Sequence, residues 1–416
     1  MRPARVLPRW LEPGEAVLGV LRMECFAPDE AGRPLNPGAF TRWVDSLAPH
    51  FRRIEVAAPL LPAGAVPGGA PLTAENVRFL PLPNLRGLRR CYLGAPRALS
   101  LLNRWVGGWD LANLRIPDNF LPFAGALVRR RGLPRYVSLV GHPWNGSAIR
   151  ARTLRAPARA VAGMHGRLQR GLYRRALRGA LCIAHGEGLL DLARSAGARA
   201  HSLPSASLWE REIPSAPPPP GPGNRLLYVG RISPEKGLRV LLEALARAGV
   251  ADLRLDLVGW PSAGEERAIA EVAGRLGLDG RVRLLGFLPL GPRLFEAYRE
   301  HDLLVLPSLS EGTPRVLGEG MAHGLAVVAT DCGGVSDLVE HARTGLLVPP
   351  GDSGALAAAL AALAGDARLR RALACRGFEA ARGRTLEGQA RAHFAILREE
   401  WEAMAEGAGR FEVSRA

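Results

Sequence analysis

Two short stretches hold the residue types that could do chemistry. The first, GRISPEKG at 230–237, follows an apolar run and carries Arg231 and Lys236. Lys236 is the only lysine among 55 basic residues; the other 54 are arginine. Ser233-Pro234 reads as an N-cap followed by proline at the first helical position. Apolar residues at 238, 241, 242 and 245 then trace one helical face. An arginine fork and a lysine point charge at a helix N-terminus suit an anion, a diphosphate above all. The alternative for Lys236 is a solvated residue of the first turn, where a cation is mildly unfavourable.

The second stretch is PSLSEGTPRVLGEGMAHG at 307–324. A strand ends at Ser308, Glu311 lies in the following loop, and Glu319 sits on a short helix that Thr313-Pro314 opens and Gly324 ends. A carboxylate accepts two hydrogen bonds at once, which suits the vicinal diol of a ribose or sugar. The alternative is that one glutamate caps backbone amides and the other is surface charge.

Taken together, these stretches resemble the retaining GT-B glycosyltransferases of family 4, the glycosyl transferases group 1. The family pattern is G-R-x-x-x-x-K-G after a strand, then P-S-x-x-E-G-x-x-x-x-x-x-E-x-x-x-x-G, then V-x-x-T-x-x-G-G. This chain reads Gly230-Arg231, Lys236-Gly237, Pro307-Ser308, Glu311-Gly312, Glu319, Gly324, Val327, Thr330 and Gly333-Gly334, and EHARTGLLVPPGD at 340–352 also fits. The resemblance implies an α/β GT-B fold, two doubly wound Rossmann-like domains facing across a cleft. It implies that Arg231 and Lys236 hold the donor's pyrophosphate and stabilise the leaving nucleoside diphosphate. Glu319 would accept the ribose hydroxyls, and Glu311 would face the donor sugar. Gly230, Gly312, Thr313, Arg315 and Val316 would complete the donor site. A nucleotide-diphosphate sugar is the implied donor substrate. No metal and no cofactor is expected, and no Asp-x-Asp triplet occurs.

The family also places a histidine near the donor sugar, after a strand of the first domain. His142 in YVSLVGHPWNG matches that position, and it joins Glu311, Arg231 and Lys236 as a catalytic candidate; His165 is the runner-up. His185 reads as a residue at the start of a helix. Two departures stand out. Gly320 follows Glu319 where relatives carry alanine, and the N-terminal glycine pair is absent, leaving only Gly38 in NPGAF on the phosphate or acceptor side.

These stretches need a scaffold. Short apolar runs alternate with amphipathic helices on both sides of SASLWEREIPSAPPPPGPGN (205–224), the pattern of parallel α/β sheets. In the first half the expected strands are 16–23, 52–59, 109–116, 134–142 and 180–186. In the second they are 225–230, 253–259, 281–287, 302–308, 325–330 and 344–350. The expected domains are an acceptor-binding domain at 1–207, a Pro/Gly linker at 208–224 and a nucleotide-sugar-binding domain at 225–387. A C-terminal helix at 388–416 would cross back to the first domain.

Charge divides the chain unevenly. The first 200 residues carry 30 arginines against 12 acids, and 150–179 carries nine arginines and no acid. That half suits anionic lipid headgroups or a diphosphate-linked lipid acceptor, unless it is a solvated face in an arginine-biased chain. Nucleic acid is set aside, because no aromatic RNA motif or recognition helix accompanies the charge. Five scattered cysteines without a CxxC pair argue for reduced thiols. The N-terminus lacks a secretory pattern and no apolar run reaches membrane-spanning length, so the expectation is a cytoplasmic protein, peripheral on the inner face of the plasma membrane if the basic half docks there.

The leading function is a sugar transfer to a saccharide or lipid-linked acceptor in cell-envelope or polysaccharide synthesis. The alternative is a catalytically silent GT-B binding or partner protein. A nicotinamide oxidoreductase would need G-x-G-x-x-G after a strand, and GEGLLD at 186–191 has Asp191 where the third glycine belongs.

Overall fold

Runs such as VLGVL (17–21), LLVL (303–306) and AVVAT (326–330) are apolar on both faces, and every residue in them is buried. Strands covered on both faces are those of parallel sheets sandwiched between helices. The computed structural model of the chain describes residues 12–66, 69–85, 87–141, 156–219, 221–262 and 264–405. It divides into two units, residues 1–203 with 387–416, and residues 204–386.

The strands of the first unit are β1 (Val17–Leu21), β2 (Ala27–Pro28), β3 (Pro34–Asn36), β4 (Arg53–Pro59), β5 (Ala70–Pro71), β6 (Val77–Leu82), β7 (Leu111–Ile116), β8 (Arg135–Leu139), β9 (Leu181–Ala184) and β10 (Arg199–Ser202). Seven of them form one sheet in the order β10-β9-β8-β7-β1-β4-β6, parallel throughout. The chain winds outward from β1 in one direction and returns beyond it with β7, so the order reverses between β1 and β7. The strands β2, β3 and β5 make a small antiparallel sheet beside it.

Two elements here carry weak sequence signals. Strand β6, VRFLPL, contains Pro81 and is tolerated because it is an edge strand that needs no ladder N–H on its free side. The helix Leu88–Trp105 contains Pro96 and lies in a stretch whose arginines dominate its reading.

The C-terminal helix Leu386–Ala405 is held within the first unit from Glu387 onward. Its His393 Nε2 lies 2.9 Å from the Tyr136 hydroxyl, both fully buried. Phe394 stacks on His50, and Glu400 contacts Arg199 and His201 at 2.7 and 2.6 Å.

The second unit contains β11 (Arg225–Val229), β12 (Arg254–Val258), β13 (Val282–Gly286), β14 (Leu303–Leu306), β15 (Ala326–Thr330) and β16 (Leu346–Val348). They form a parallel sheet in the order β13-β12-β11-β14-β15-β16. Again the order reverses beside the first strand, between β11 and β14. In open sheets of this kind ligands lie outside the carboxyl ends of the strands at that reversal.

The stretch 208–224, read from its prolines as a linker, packs within the second unit instead. Leu208 is buried and its carbonyl accepts the Leu386 N–H at 2.9 Å, while Arg370 Nη2 donates to the Gly221 carbonyl at 2.9 Å. Prolines lack an N–H, yet the carbonyls around them still accept, and side-chain donors of the unit use them.

Candidate active site

The GRISPEKG loop leaves β11 and the PSLSEG loop leaves β14, the two strands that flank the reversal of the second sheet. Residues Pro234–Lys236 form a single 3-10 turn, and the helix begins only at Leu238. Ser233 therefore does not cap a long helix, as the sequence pattern suggests; its side chain makes no capping hydrogen bond. The interruption is Gly237, which takes a left-handed φ of +66°. A Cβ there would lie 2.0 Å from the Pro307 carbonyl oxygen, so only glycine lets the loops approach.

The Leu309 N–H donates to the Glu235 carbonyl at 2.9 Å and binds the loops together. Across that contact, Lys236 Nζ donates to Glu311 Oε1 at 2.5 Å, and the Ser308 hydroxyl donates to the same oxygen at 2.6 Å. The lysine and glutamate side chains are 15% and 9% exposed, so this pair is only thinly screened by water. Arg231 stands outside it, 65% exposed, with Nη2 3.7 Å from Glu235. Its position is set through its backbone, whose carbonyl accepts the Tyr228 hydroxyl at 2.6 Å.

A third loop supports the second. The Thr330 hydroxyl donates to the Ser308 carbonyl, and the Gly334 N–H donates to the Gly312 carbonyl at 2.7 Å. The T-x-x-G-G segment thus braces the loop that carries Glu311.

Glu319 lies on the helix Arg315–Ala322 and is 6% exposed, which excludes the surface-charge reading. Its two oxygens accept from Ser207 Oγ at 2.6 Å and Tyr298 Oη at 2.8 Å. Burial, then the adjacent Glu319 carboxylate, push the Tyr298 hydroxyl well above its usual pKa, so it stays a donor. Each carboxylate oxygen keeps a second lone pair for a diol. Arg315 and Gly318 line a small cavity with Glu319 and Ser205–Leu208, whereas Val316 packs on the hydrophobic core. Helix formation starts at Arg315 with Pro314, not Thr313, as its N-cap. Gly320 has a packing role: a Cβ there would come within 2.5 Å of Leu304 Cδ2.

A sequence model of the family "Glycosyl transferases group 1" matches residues 223–366, which contain both loops and Glu319. Residues 223–366 are thus similar to the glycosyl transferases group 1. The D-inositol 3-phosphate glycosyltransferase of Nocardia farcinica is 39% identical over 210 residues, 47% of this chain and 46% of that protein. The amylovoran biosynthesis glycosyltransferase of Erwinia amylovora is 35% identical over 144 residues, 33% of this chain and 35% of that protein. The match to these curated relatives thus spans less than half of their length.

Solved structures show that the fold is GT-B. Anabaena HepE in complex with UDP aligns with a TM-score of 0.68 at 19% identity, covering 92% of this chain and all of that one. Sucrose-phosphate synthase of Thermosynechococcus elongatus aligns at 0.72 and 18%, covering 94% and 100%.

Outside residues 223–366 the candidates fare differently. His142 lies outside the described residues. The Gly38 N–H donates to Asn36 Oδ1 at 3.0 Å, so this amide is already used. His165 meets the Tyr92 hydroxyl at 3.5 Å, and His185 is buried at the end of β9. Two residues absent from the sequence reading flank the reversal of the first sheet: Arg22 follows β1 and Asp118 follows β7. Burial pushes the Asp118 carboxyl up to about 7, against the Phe120 N–H bond and the Arg22 charge that lower it.

Ser207 and Tyr298 also escape sequence reasoning. They lie 112 and 21 positions from Glu319, and no local pattern joins them.

Proposed function

We propose that this protein is a retaining, metal-independent glycosyltransferase that moves a sugar from a nucleoside diphosphate sugar to a saccharide or lipid-linked acceptor. The observation that carries the reading is the Lys236–Glu311 contact at the strand-order reversal within residues 223–366. In the reaction the bond from the anomeric carbon to the diphosphate oxygen breaks, a bond to the acceptor hydroxyl oxygen forms, and the hydroxyl proton passes to the departing diphosphate. Negative charge builds on the departing diphosphate. Lys236 and the exposed Arg231 provide fixed positive charge for it, the role a divalent ion plays in other transferases. Glu311 then lies beside the transferred sugar, and Glu319, held by Ser207 and Tyr298, accepts from the ribose hydroxyls. The carboxyl ends of β1 and β7, which Arg22 and Asp118 follow, receive the acceptor.

Cell-envelope or polysaccharide synthesis at the cytoplasmic membrane face is the setting this reading favours. Exposed Leu93, Met164 and Leu168 stand among the arginines of helices Leu88–Trp105 and Ala156–Leu177. Such a mixture suits the interface of an anionic bilayer. Among the described residues no helix is long and apolar enough to cross a membrane.

A thermal-shift screen with UDP, GDP and ADP and their sugars tests the proposal. A ligand at 100 times its Kd raises native stability by about 2.7 kcal/mol. One diphosphate should raise the Tm of the wild-type protein and leave Lys236→Ala unmoved; no response to any of them would overturn the donor site. Product anomers read by NMR, with EDTA present, test retention and metal independence.

A further inference from the structure

Beside the donor loops stands the only exposed tryptophan among the described residues, Trp260, at 53% exposure. It follows β12, and the backbone fixes its place. Strands β11 and β12 pair in parallel with Val229 opposite Val258, and the ladder resumes beyond them with Ile232 opposite Pro261. That constant register sets Arg231 opposite Trp260. Hydrogen bonds on either side hold the pairing: the Gly230 N–H donates to the Val258 carbonyl and the Ile232 N–H to the Trp260 carbonyl, both at 2.9 Å. Opposed residues of a parallel ladder project to the same face, with their backbones roughly 5 Å apart. A Cβ at Gly259 would lie 1.7 Å from the Gly230 carbonyl oxygen, so only glycine lets the two loops lie this close.

Single exposed apolar residues are ordinary on protein surfaces, but this one has a charged neighbour and an aromatic one. The Trp260 ring meets Phe287, which follows β13, edge-to-face with centroids 6.4 Å apart. The Gly259 N–H donates to the Gly286 carbonyl at 2.9 Å, so the ends of β11, β12 and β13 are bonded in a row. That row carries the exposed Arg231, then Trp260, then Phe287. Glu311, in the loop after β14, lies on the other side of Arg231, because β11 stands between β12 and β14. Glu319 is tied through Tyr298 to the helix Pro292–Glu300, which begins shortly after Phe287.

We propose that Trp260 is a donor-binding residue whose indole, with Phe287 at its edge, packs against the nucleobase. The inference rests on the donor-site reading. A nucleoside diphosphate sugar places sugar, diphosphate, ribose and base in that order. With its sugar toward Glu311 and its diphosphate at Arg231, its base extends to the side of β12 and β13, where the two rings stand. Every nucleobase has a flat π face, and an indole already bared to solvent offers it a flat apolar partner. Neighbouring positions of one ladder thus serve the charged and the aromatic parts of the same ligand.

Calorimetric titration of UDP, GDP and ADP, and of UDP-glucose, GDP-mannose and ADP-glucose, into wild-type, Trp260→Ala, Trp260→Phe and Lys236→Ala protein tests it. Trp260→Ala should weaken the preferred free diphosphate about tenfold or more, the range for loss of one base-stacking ring. Trp260→Phe should keep most of the affinity. Bound diphosphate should also quench tryptophan emission in the wild type, and Trp260→Phe should remove that quench. Binding that Lys236→Ala loses but Trp260→Ala keeps in full would overturn this inference alone. No binding of any of the three diphosphates to the wild type would overturn the donor site and the inference with it. A loss in Trp260→Ala seen with the nucleotide sugars but not with the free diphosphates would set the sugar, not the base, against the indole and overturn the inference too.

Discussion

The ammonium of Lys236 lies 2.5 Å from Glu311 Oε1, although 75 positions separate the two residues. The contact exists because β11 and β14 are neighbours in space and Gly237 lets one loop press on Pro307. It joins the one lysine of the chain to a carboxylate at the place where α/β sheets hold ligands.

Lys236→Ala should lower glycosyl transfer by about 100-fold or more, the usual loss of one preorganised charge donor. Lys236→Arg should recover little of it, because a planar guanidinium cannot share one oxygen with Ser308 as a compact ammonium does. Steady-state kinetics checks both, and full activity of Lys236→Arg would mean the lone lysine has no special task.

Glu319→Gln leaves Ser207 or Tyr298 facing an amide N–H instead of an acceptor. Donor affinity should fall about tenfold, equivalent to roughly 1.4 kcal/mol. Tyr298→Phe should raise the donor KM with little change in kcat, since it loosens the carboxylate without removing it. Unchanged donor affinity in Glu319→Gln would refute the ribose contact.

Gly320→Ala should destabilise the protein by about 1–3 kcal/mol through overpacking against Leu304. Leu304→Val should relieve part of that cost in the double variant. Urea denaturation of the four proteins gives the coupling, and simple additivity would show that the two sites do not meet.

Burial lowers the His393 pKa from 6.5 to about 3. The unfolded chain takes up a proton below pH 6.5 and the native state refuses it until about pH 3. Stability is therefore full above pH 6.5 and lost as the pH falls toward 3, by up to about 1.4 kcal/mol per unit. Denaturation midpoints at pH 7 and pH 5 measure the slope, and His393→Phe should flatten it.

Sedimentation with anionic vesicles should carry the protein down at low salt and release it as salt rises. Replacing Leu93, Met164 and Leu168 by serine should weaken the binding further. Equal pelleting with neutral vesicles would count against a basic docking face.

Much of the second unit was legible in the sequence because its signals are local. Most of its strands are short apolar runs closed by glycine or proline, and the motif residues sit in or just beyond the loops that follow such runs. The first unit was less legible: β6 carries a proline, the helix at 88–105 carries another, and the small antiparallel sheet has strands of two and three residues. The proline-rich stretch misled for a related reason. Local stiffness says what a segment cannot form, but not that the Arg370 side chain and the Leu386 amide, far along the chain, will bond to it.

By itself the sequence determined the alternation of strands and helices, the uneven charge, and the presence of residue types suited to diphosphates and diols, since all of these depend on neighbours within a few positions. Only the tertiary structure decided which loops meet. Strand order brings the loops after β11 and β14 together, Ser207 and Tyr298 converge on Glu319 from distant positions, and Leu304 fills the space beside Gly320. Contacts of this kind depend on sheet topology and on close packing between elements, and periodicity along the chain records neither.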